Sequence, residues 1–268
     1  MELRRRVLHE EGRALALAGP GTLAATVRAS LPFTLTPGQD EALRDIAGDL
    51  ARPRPMHRLV VGDVGSGKTV VALLAACAAL EVGQQAALLA PTEILARQHG
   101  ASLMRLAAAS GVPVAVLTGA STAAERRSLQ ARLDAGEPLF VVGTHALLEE
   151  KVRIPNLALA IVDEQHRFGV RQRAALASKG VLPHVLVLTA TPIPRTLQLA
   201  CFGDLDLSLL RGRPAGRGRL VTRVTDEGRF PQVIEFMSRE LKAGRQAYVV
   251  VPAIEDNARS DLKAAESE

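Results

Sequence analysis

The sequence predicts an α/β fold built on a mostly parallel sheet with helices covering both faces, followed by a truncated second α/β unit. From Met56 onward, short β-rich apolar runs alternate with amphipathic helical stretches, the pattern of strand-helix-strand crossovers. Near-continuous apolar runs such as Leu159-Ala160-Ile161-Val162 and Val185-Leu186-Val187-Leu188 suit strands buried on both faces. Polar residues follow these runs at their C-terminal ends, where open α/β sheets bind ligands.

Residues 1–30 read as a helical connector, broken at Gly19-Pro20-Gly21. Leu31-Pro32-Phe33 turns into Thr36-Pro37-Gly38-Gln39, with Thr36 as N-cap and Pro37 at the first position of a helix over 38–50. Pro53 and Pro55 end that helix. Strands are expected at 58–62, 85–90, 113–118, 139–143, 157–162 and 184–190, and helices at 68–82, 93–109, 122–135, 171–179 and 194–201. These elements form a first domain over 31–210. Residues 211–219 are a linker of Arg, Gly and Pro. A strand at 220–225, a helix at 230–242 and a strand at 247–252 then open a second unit over 220–268, too short for further strand-helix pairs.

At 268 residues and 47% hydrophobic content, the chain can bury one sizeable core, or one core and the start of a second. That composition excludes a disorder-dominated chain. No apolar run approaches the roughly 20 residues of a membrane span, and residues 1–11 lack the apolar core of a signal peptide. The expected setting is the cytoplasm. Cys77 and Cys201 lie in Ala/Leu-rich runs, which fits buried reduced thiols. The net charge of +5 suggests an anionic partner. Arg211, Arg213, Arg217, Arg219 and Arg223 cluster with no acid among them; a solvated loop and a phosphate contact both fit that run. With no Trp, one Tyr and six Phe, the chain is short of platforms for stacking bases. Nucleic acid would be gripped by its phosphates.

The chemistry centres on Gly62-Asp63-Val64-Gly65-Ser66-Gly67-Lys68-Thr69, with the spacing G-x-x-x-x-G-K-[ST]. Glycines let backbone N–H groups curl around an anion, and the following helix N-terminus adds partial positive charge. Lys68 would reach the β and γ phosphates and Thr69 would give its hydroxyl to Mg²⁺. At the end of a central strand, Asp163 can hold the metal and Glu164 can orient and deprotonate a water. One strand later, the hydroxyls of Thr189 and Thr191 point the same way and suit a relay between the carboxylate turn and a neighbouring loop. A GTPase is excluded: its Asn-Lys-x-Asp loop is missing, since Asn156 and Asn257 sit in Pro-Asn-Leu and Asp-Asn-Ala. An ABC-type ATPase would need a Ser-Gly-Gly signature, also absent.

The phosphate loop, Ala90-Pro91-Thr92-Glu93, Thr118-Gly119, Val142-Gly143-Thr144-His145, Asp163-Glu164-Gln165-His166 and Thr189-Ala190-Thr191-Pro192 occur in the order of the superfamily 2 helicase motifs. Longer stretches, 62–71, 163–170 and Thr191-Pro192-Ile193-Pro194-Arg195-Thr196, resemble the RecG family of bacterial ATP-dependent helicases that remodel branched DNA. The likeness runs from about residue 31 to residue 255. Transcription-repair coupling translocases are similar but typically read Asp-Glu-Glu-His where this chain has Gln165.

The resemblance implies a RecA-like P-loop domain and the start of a second one, with ATP and Mg²⁺ as ligands. It implies Lys68, Asp163 and Glu164 as catalytic residues, and Thr69 and Asp163 at the metal. Gly62, Gly65, Ser66 and Gly67 line the nucleotide loop, with Gln39 and Phe33 similar to the family's adenine-recognising element. Gln165, His166, Thr189 and Thr191 would couple hydrolysis to movement. Pro91, Thr92, Glu93, Thr118, Gly119, Gly143 and Thr144 match loops that hold DNA by its phosphates. The implied partner is branched or forked DNA, bound by a monomer away from any membrane. Family members also carry a wedge domain and a complete second motor domain with an arginine finger. The chain is therefore expected to be a fragment or truncated product that binds ATP but hydrolyses it slowly. The alternatives are a non-catalytic ATP-dependent DNA-binding module and a transcription-repair coupling DNA translocase.

Overall fold

The computed structural model describes residues 14–149, 151–163, 182–190, 205–211 and 221–250. The chain divides into two units, Met1–Arg217 and Gly218–Glu268.

In the first unit seven parallel strands form one sheet: β1 (His57–Val61), β2 (Gln85–Leu89), β3 (Val114–Leu117), β4 (Phe140–Gly143), β5 (Leu157–Asp163), β6 (His184–Thr189) and β7 (Asp206–Leu209). Their order across the sheet is β3-β4-β2-β5-β6-β1-β7. The helices are α1 (Thr22–Ser30), α2 (Pro37–Leu50), α3 (Lys68–Glu81), α4 (Glu93–Ala107) and α5 (Ala123–Asp134). Parallel strands need crossover connections, and here α3, α4 and α5 supply them after β1, β2 and β3.

Successive side chains of a strand point to opposite faces, and the core divides accordingly. Leu88, Val142, Leu159 and Ile161 join the layer beneath α1 to α4, while Leu89, Val141, Ala160 and Val162 join Leu129 and Leu133 of α5. Helix α3 is buried on nearly all sides from Val70 to Leu80, as a helix packed between the sheet and other helices must be. Capping fixes where the helices begin. Thr36 and Gln39 form a reciprocal capping box at α2, and Thr122 and Glu125 form another at α5.

The bounds of α2 to α5 and of β1 to β6 follow the expected ones within two residues, while the expected helices at 171–179 and 194–201 lie outside the described residues. Three expectations are corrected. Residues 14–30 are more than a connector: Leu17 and Val27 belong to the core, and the Glu81 carboxylate caps α1 by accepting from the N–H groups of Gly21 (2.8 Å) and Leu23 (2.9 Å). Strand β7 was not expected, being four residues opened by an aspartate; it pairs with β1, and its Ser208 is tied down by Arg58. In the second unit the strand over 220–225 is absent among the described residues 221–225, as is that over 247–252 among 247–250. A strand draws its hydrogen bonds from a neighbour, and Val224 and Val250 are almost fully exposed. The expected helix is present as α6 (Phe230–Lys242), with Pro231 in its first turn and the Arg239 guanidinium over the Phe236 ring. No described residue of this unit is buried.

Among the described residues no helix is long and apolar enough to cross a membrane.

Candidate active site

Every sequence motif within the described residues of the first unit lies at the C-terminal rim of the sheet, where the strands hand over to loops. Strand order sorts them. The phosphate loop follows β1, Thr189 ends β6 and Asp163 ends β5, three consecutive strands. The loops at 90–92, 143–144 and 118–119 follow β2, β4 and β3, the other three consecutive strands. Along the chain the second set stands between β1 and β5; the sheet brings β1 back beside β6 and reunites the first set.

The phosphate loop is held from three sides. Gly62 N–H donates to the Thr189 carbonyl (3.0 Å), joining β1 to β6. Ser66 N–H donates to the Asp63 carbonyl (3.0 Å), and Gln39 Nε2 donates to the Ser66 carbonyl (2.7 Å). Gly67 has φ +85°, and a Cβ there would come within 2.2 Å of Gln39 Nε2, so backbone conformation and space both require glycine. Val70 N–H (3.1 Å) and Val71 N–H (3.3 Å) then bond to the Gly67 carbonyl, which starts α3.

The donor set fits an anionic phosphate chain and a divalent cation. The first N–H groups of a helix have no intrahelical acceptor, and α3 begins with Lys68 and Thr69 and has no acidic residue in its first turn. Ser66 Oγ is buried with no hydrogen-bond partner among the described residues. Lys68 Nζ donates to the carbonyls of Gly62 (2.7 Å) and Asp63 (3.1 Å), which keeps the ammonium over the loop. For the cation, the hydroxyl of Thr69 and the carboxylate of Asp163 are hard oxygen donors of the kind a hard divalent ion takes.

Gln39 departs from the role implied for it. Its side chain is buried, with Oε1 accepting from Thr36 N–H (2.8 Å) while Nε2 holds Ser66. It braces the loop from beneath and is not open to a base edge. Phe33 is about half exposed and stays available as a surface for a ring.

Asp163 is buried at the end of β5, and Oδ2 accepts from His99 Nε2–H at 2.7 Å. Sequence reasoning missed His99, which belongs to no motif and lies 64 residues from its partner. Glu164, Gln165, His166 and Thr191 lie outside the described residues. Thr189 is buried at the end of β6, with Leu188 in register with Asp163.

Of the residues matched to DNA loops, Pro91, Thr92 and Glu93 are half-buried and Gly119 is exposed. Thr118, Gly143 and Thr144 are corrections: all three are buried within their loops and do not themselves face solvent. Thr144 caps a short 3-10 turn, and Thr118 N–H donates to Ser121 Oγ (3.1 Å). The exposed atoms beside them belong to Gly119, Ala120 and His145. Glu93 leans against Gly119 so closely that a Cβ there would meet Glu93 Oε1 at 2.4 Å. Arg126, also missed, donates to the carbonyls of Thr118 (2.7 Å) and Ser121 (3.2 Å) and fixes that turn. Arg127 and Lys151 line the cleft beside it.

Of the arginine run, Arg211 and Arg223 are exposed and Arg213, Arg217 and Arg219 lie outside the described residues. Cys77 is a buried free thiol whose pKa burial pushes up to about 12, so it is inert at neutral pH. Cys201 lies outside the described residues.

A RecA-like sheet with a phosphate loop and a strand-end aspartate on one rim defines a P-loop motor domain. The chain belongs to the DEAD/DEAH box helicase family, whose family model matches residues 36–200. Within that family it is similar to proteins named ATP-dependent DNA helicase RecG. It shares 47% identity over 99% of its length with that of Synechocystis sp. and 48% over 87% with that of Bacillus subtilis. The chain spans about a third of the length of those relatives, 32% and 34%. A solved structure of RecG bound to a three-way DNA junction matches with a TM-score of 0.81 at 40% identity, covering 94% of this chain and 34% of that one.

Proposed function

We propose that this chain is the ATP-binding lobe of an ATP-dependent DNA helicase or translocase that works on branched DNA. The observation that supports the reading is the strand order: β5-β6-β1 gathers the phosphate loop, Asp163 and Thr189, and β3-β4-β2 gathers the loops matched to DNA contacts. One rim thus offers adjoining surfaces for two ligands, which a motor coupling ATP to DNA requires. The similarity to RecG, one structure of which holds a three-way junction, supports branched DNA as the substrate class.

Thr69 and Asp163 would hold a Mg²⁺ ion, which would supply positive charge at the phosphates to offset the charge that builds up as the γ-phosphoryl group leaves. Lys68 moves from its loop carbonyls to the β/γ phosphates and supplies a fixed positive charge. The amides at the start of α3 cradle the same phosphates. Glu164 takes the proton from the attacking water. Gly119 and the loop at 91–93 grip the DNA backbone, which makes binding independent of sequence and steeply salt-dependent.

The test is nucleotide binding by Lys68→Ala, followed with a fluorescent ATP analogue. The variant is expected to lose at least about a hundredfold in affinity, since a charge-assisted contact in a partly dry site is removed. Unchanged affinity would contradict the assignment.

A further inference from the structure

His99 lies two turns into α4, on the stripe that carries Ala96 and Leu103 into the core. A polar ring on an inward stripe needs a partner, and this one reaches across to the end of β5. Its Nε2 meets Asp163 Oδ2 at 2.7 Å, with the two side chains only 16% and 10% exposed. The imidazole therefore donates to the carboxylate that the reading above assigns to the metal.

We propose that His99 is a positioning residue for the metal. By claiming Oδ2 it fixes the rotamer of Asp163 and leaves Oδ1 as the atom that carboxylate offers to a divalent cation. Hydrogen bonds of this kind orient carboxylate ligands, and losing them typically costs about 10- to 100-fold in metal affinity. The contact also joins the ATP half of the rim to α4, which starts at the Pro91-Thr92-Glu93 loop on the other half. The inference rests on the ATP-site reading, because it needs Asp163 to hold a metal.

The experiment is Mn²⁺ binding by the 268-residue chain with a non-hydrolysable ATP analogue, read from the loss of the free Mn²⁺ signal in electron paramagnetic resonance. The chain itself, His99→Ala, His99→Asn and His99→Gln are compared. The Gln amide nitrogen reaches about as far as Nε2, whereas the Asn amide stops short. His99→Ala and His99→Asn are expected to weaken Mn²⁺ binding by about tenfold or more, with analogue affinity in EDTA unchanged. His99→Gln should return to within about threefold of the parent, well short of that loss. If Ala unfolds the chain, the Asn and Gln pair still decides the matter. Parent-like Mn²⁺ affinity in His99→Asn, or a Gln variant as weak as Asn, overturns the inference alone. A parent chain that binds neither analogue nor Mn²⁺ overturns the ATP-site reading with it.

Discussion

Lys68 holds its ammonium against the carbonyls of Gly62 and Asp63, so the charge a phosphate needs is already above the loop. The role proposed for Glu164 lies in the chemistry and not in the grip. Glu164→Gln keeps the shape of the side chain and removes the base. Nucleotide affinity should survive within about threefold while ATP turnover falls by about 10² or more; parallel loss of both would make Glu164 structural. His184 is a residue with a different task. Its Nδ1 accepts from Met56 N–H (3.0 Å) and its Nε2 donates to the Leu15 carbonyl (2.8 Å), which fixes a neutral ring. Burial pushes its pKa below the usual 6.5, against a smaller opposing pull from the Leu15 carbonyl. Below pH 6.5 the unfolded chain thus binds a proton that the folded chain refuses. Stability due to His184 is whole above pH 6.5 and declines as pH falls through that value, by at most about 1.4 kcal/mol per pH unit. Urea unfolding midpoints between pH 7.5 and pH 5.5 should show the decline, and His184→Gln should flatten it. At this scale the phosphate loop was legible because its spacing is local. His99 was not, because its meaning depends on a partner 64 residues away. Thr118 and Thr144 were found as loop residues, but a motif does not say which atom faces water.

Among the elements, β7 depends most on a single polar cluster. Three of its four residues are exposed, so apolar burial holds it weakly. Arg58 on β1 donates to Asp49 Oδ2 (2.8 Å) and Ser208 Oγ (2.8 Å), and Ser208 Oγ donates to Asp45 Oδ2 (2.8 Å). Strand β7, strand β1 and helix α2 thereby share one guanidinium. The Arg58 and Asp49 side chains are about 10% exposed, whereas Asp45 is 42% exposed. Removing one member of a buried pair strands the other, at a cost of about 3 to 5 kcal/mol. Arg58→Ala should lose stability in that range by chemical denaturation, and Asp45→Ala less than about 1 kcal/mol; equal losses would contradict this. The same contrast explains which elements were legible. Helix α2 carries its start signal in Thr36, Pro37 and Gln39, and β5 is an unbroken apolar run. Strand β7 has neither signal, since its place comes from pairing with β1 and from Arg58. Residues 220–225 and 247–252 look like strands for their β-branched content, yet a sequence cannot show whether a partner strand stands beside them.

For the whole molecule, the parallel sheet turns a linear series of motifs into two adjoining surfaces. Along the chain β2 to β4 stand between β1 and the pair β5 and β6, and the strand order 3-4-2-5-6-1-7 brings β1 back beside β6. Composition agrees with the proposed phosphate contacts, because Arg127 and Lys151 line the cleft beside the turn that Arg126 fixes, and aromatic residues are scarce. Amide hydrogen exchange of the 268-residue chain, measured with an ATP analogue and separately with forked DNA, tests this division directly. The analogue should protect residues 62–69 and the ends of β5 and β6, and DNA should protect 91–93, 118–121 and 143–146. Protection by DNA on the phosphate loop alone, or at the opposite end of the sheet around 82–84 and 135–139, would contradict it.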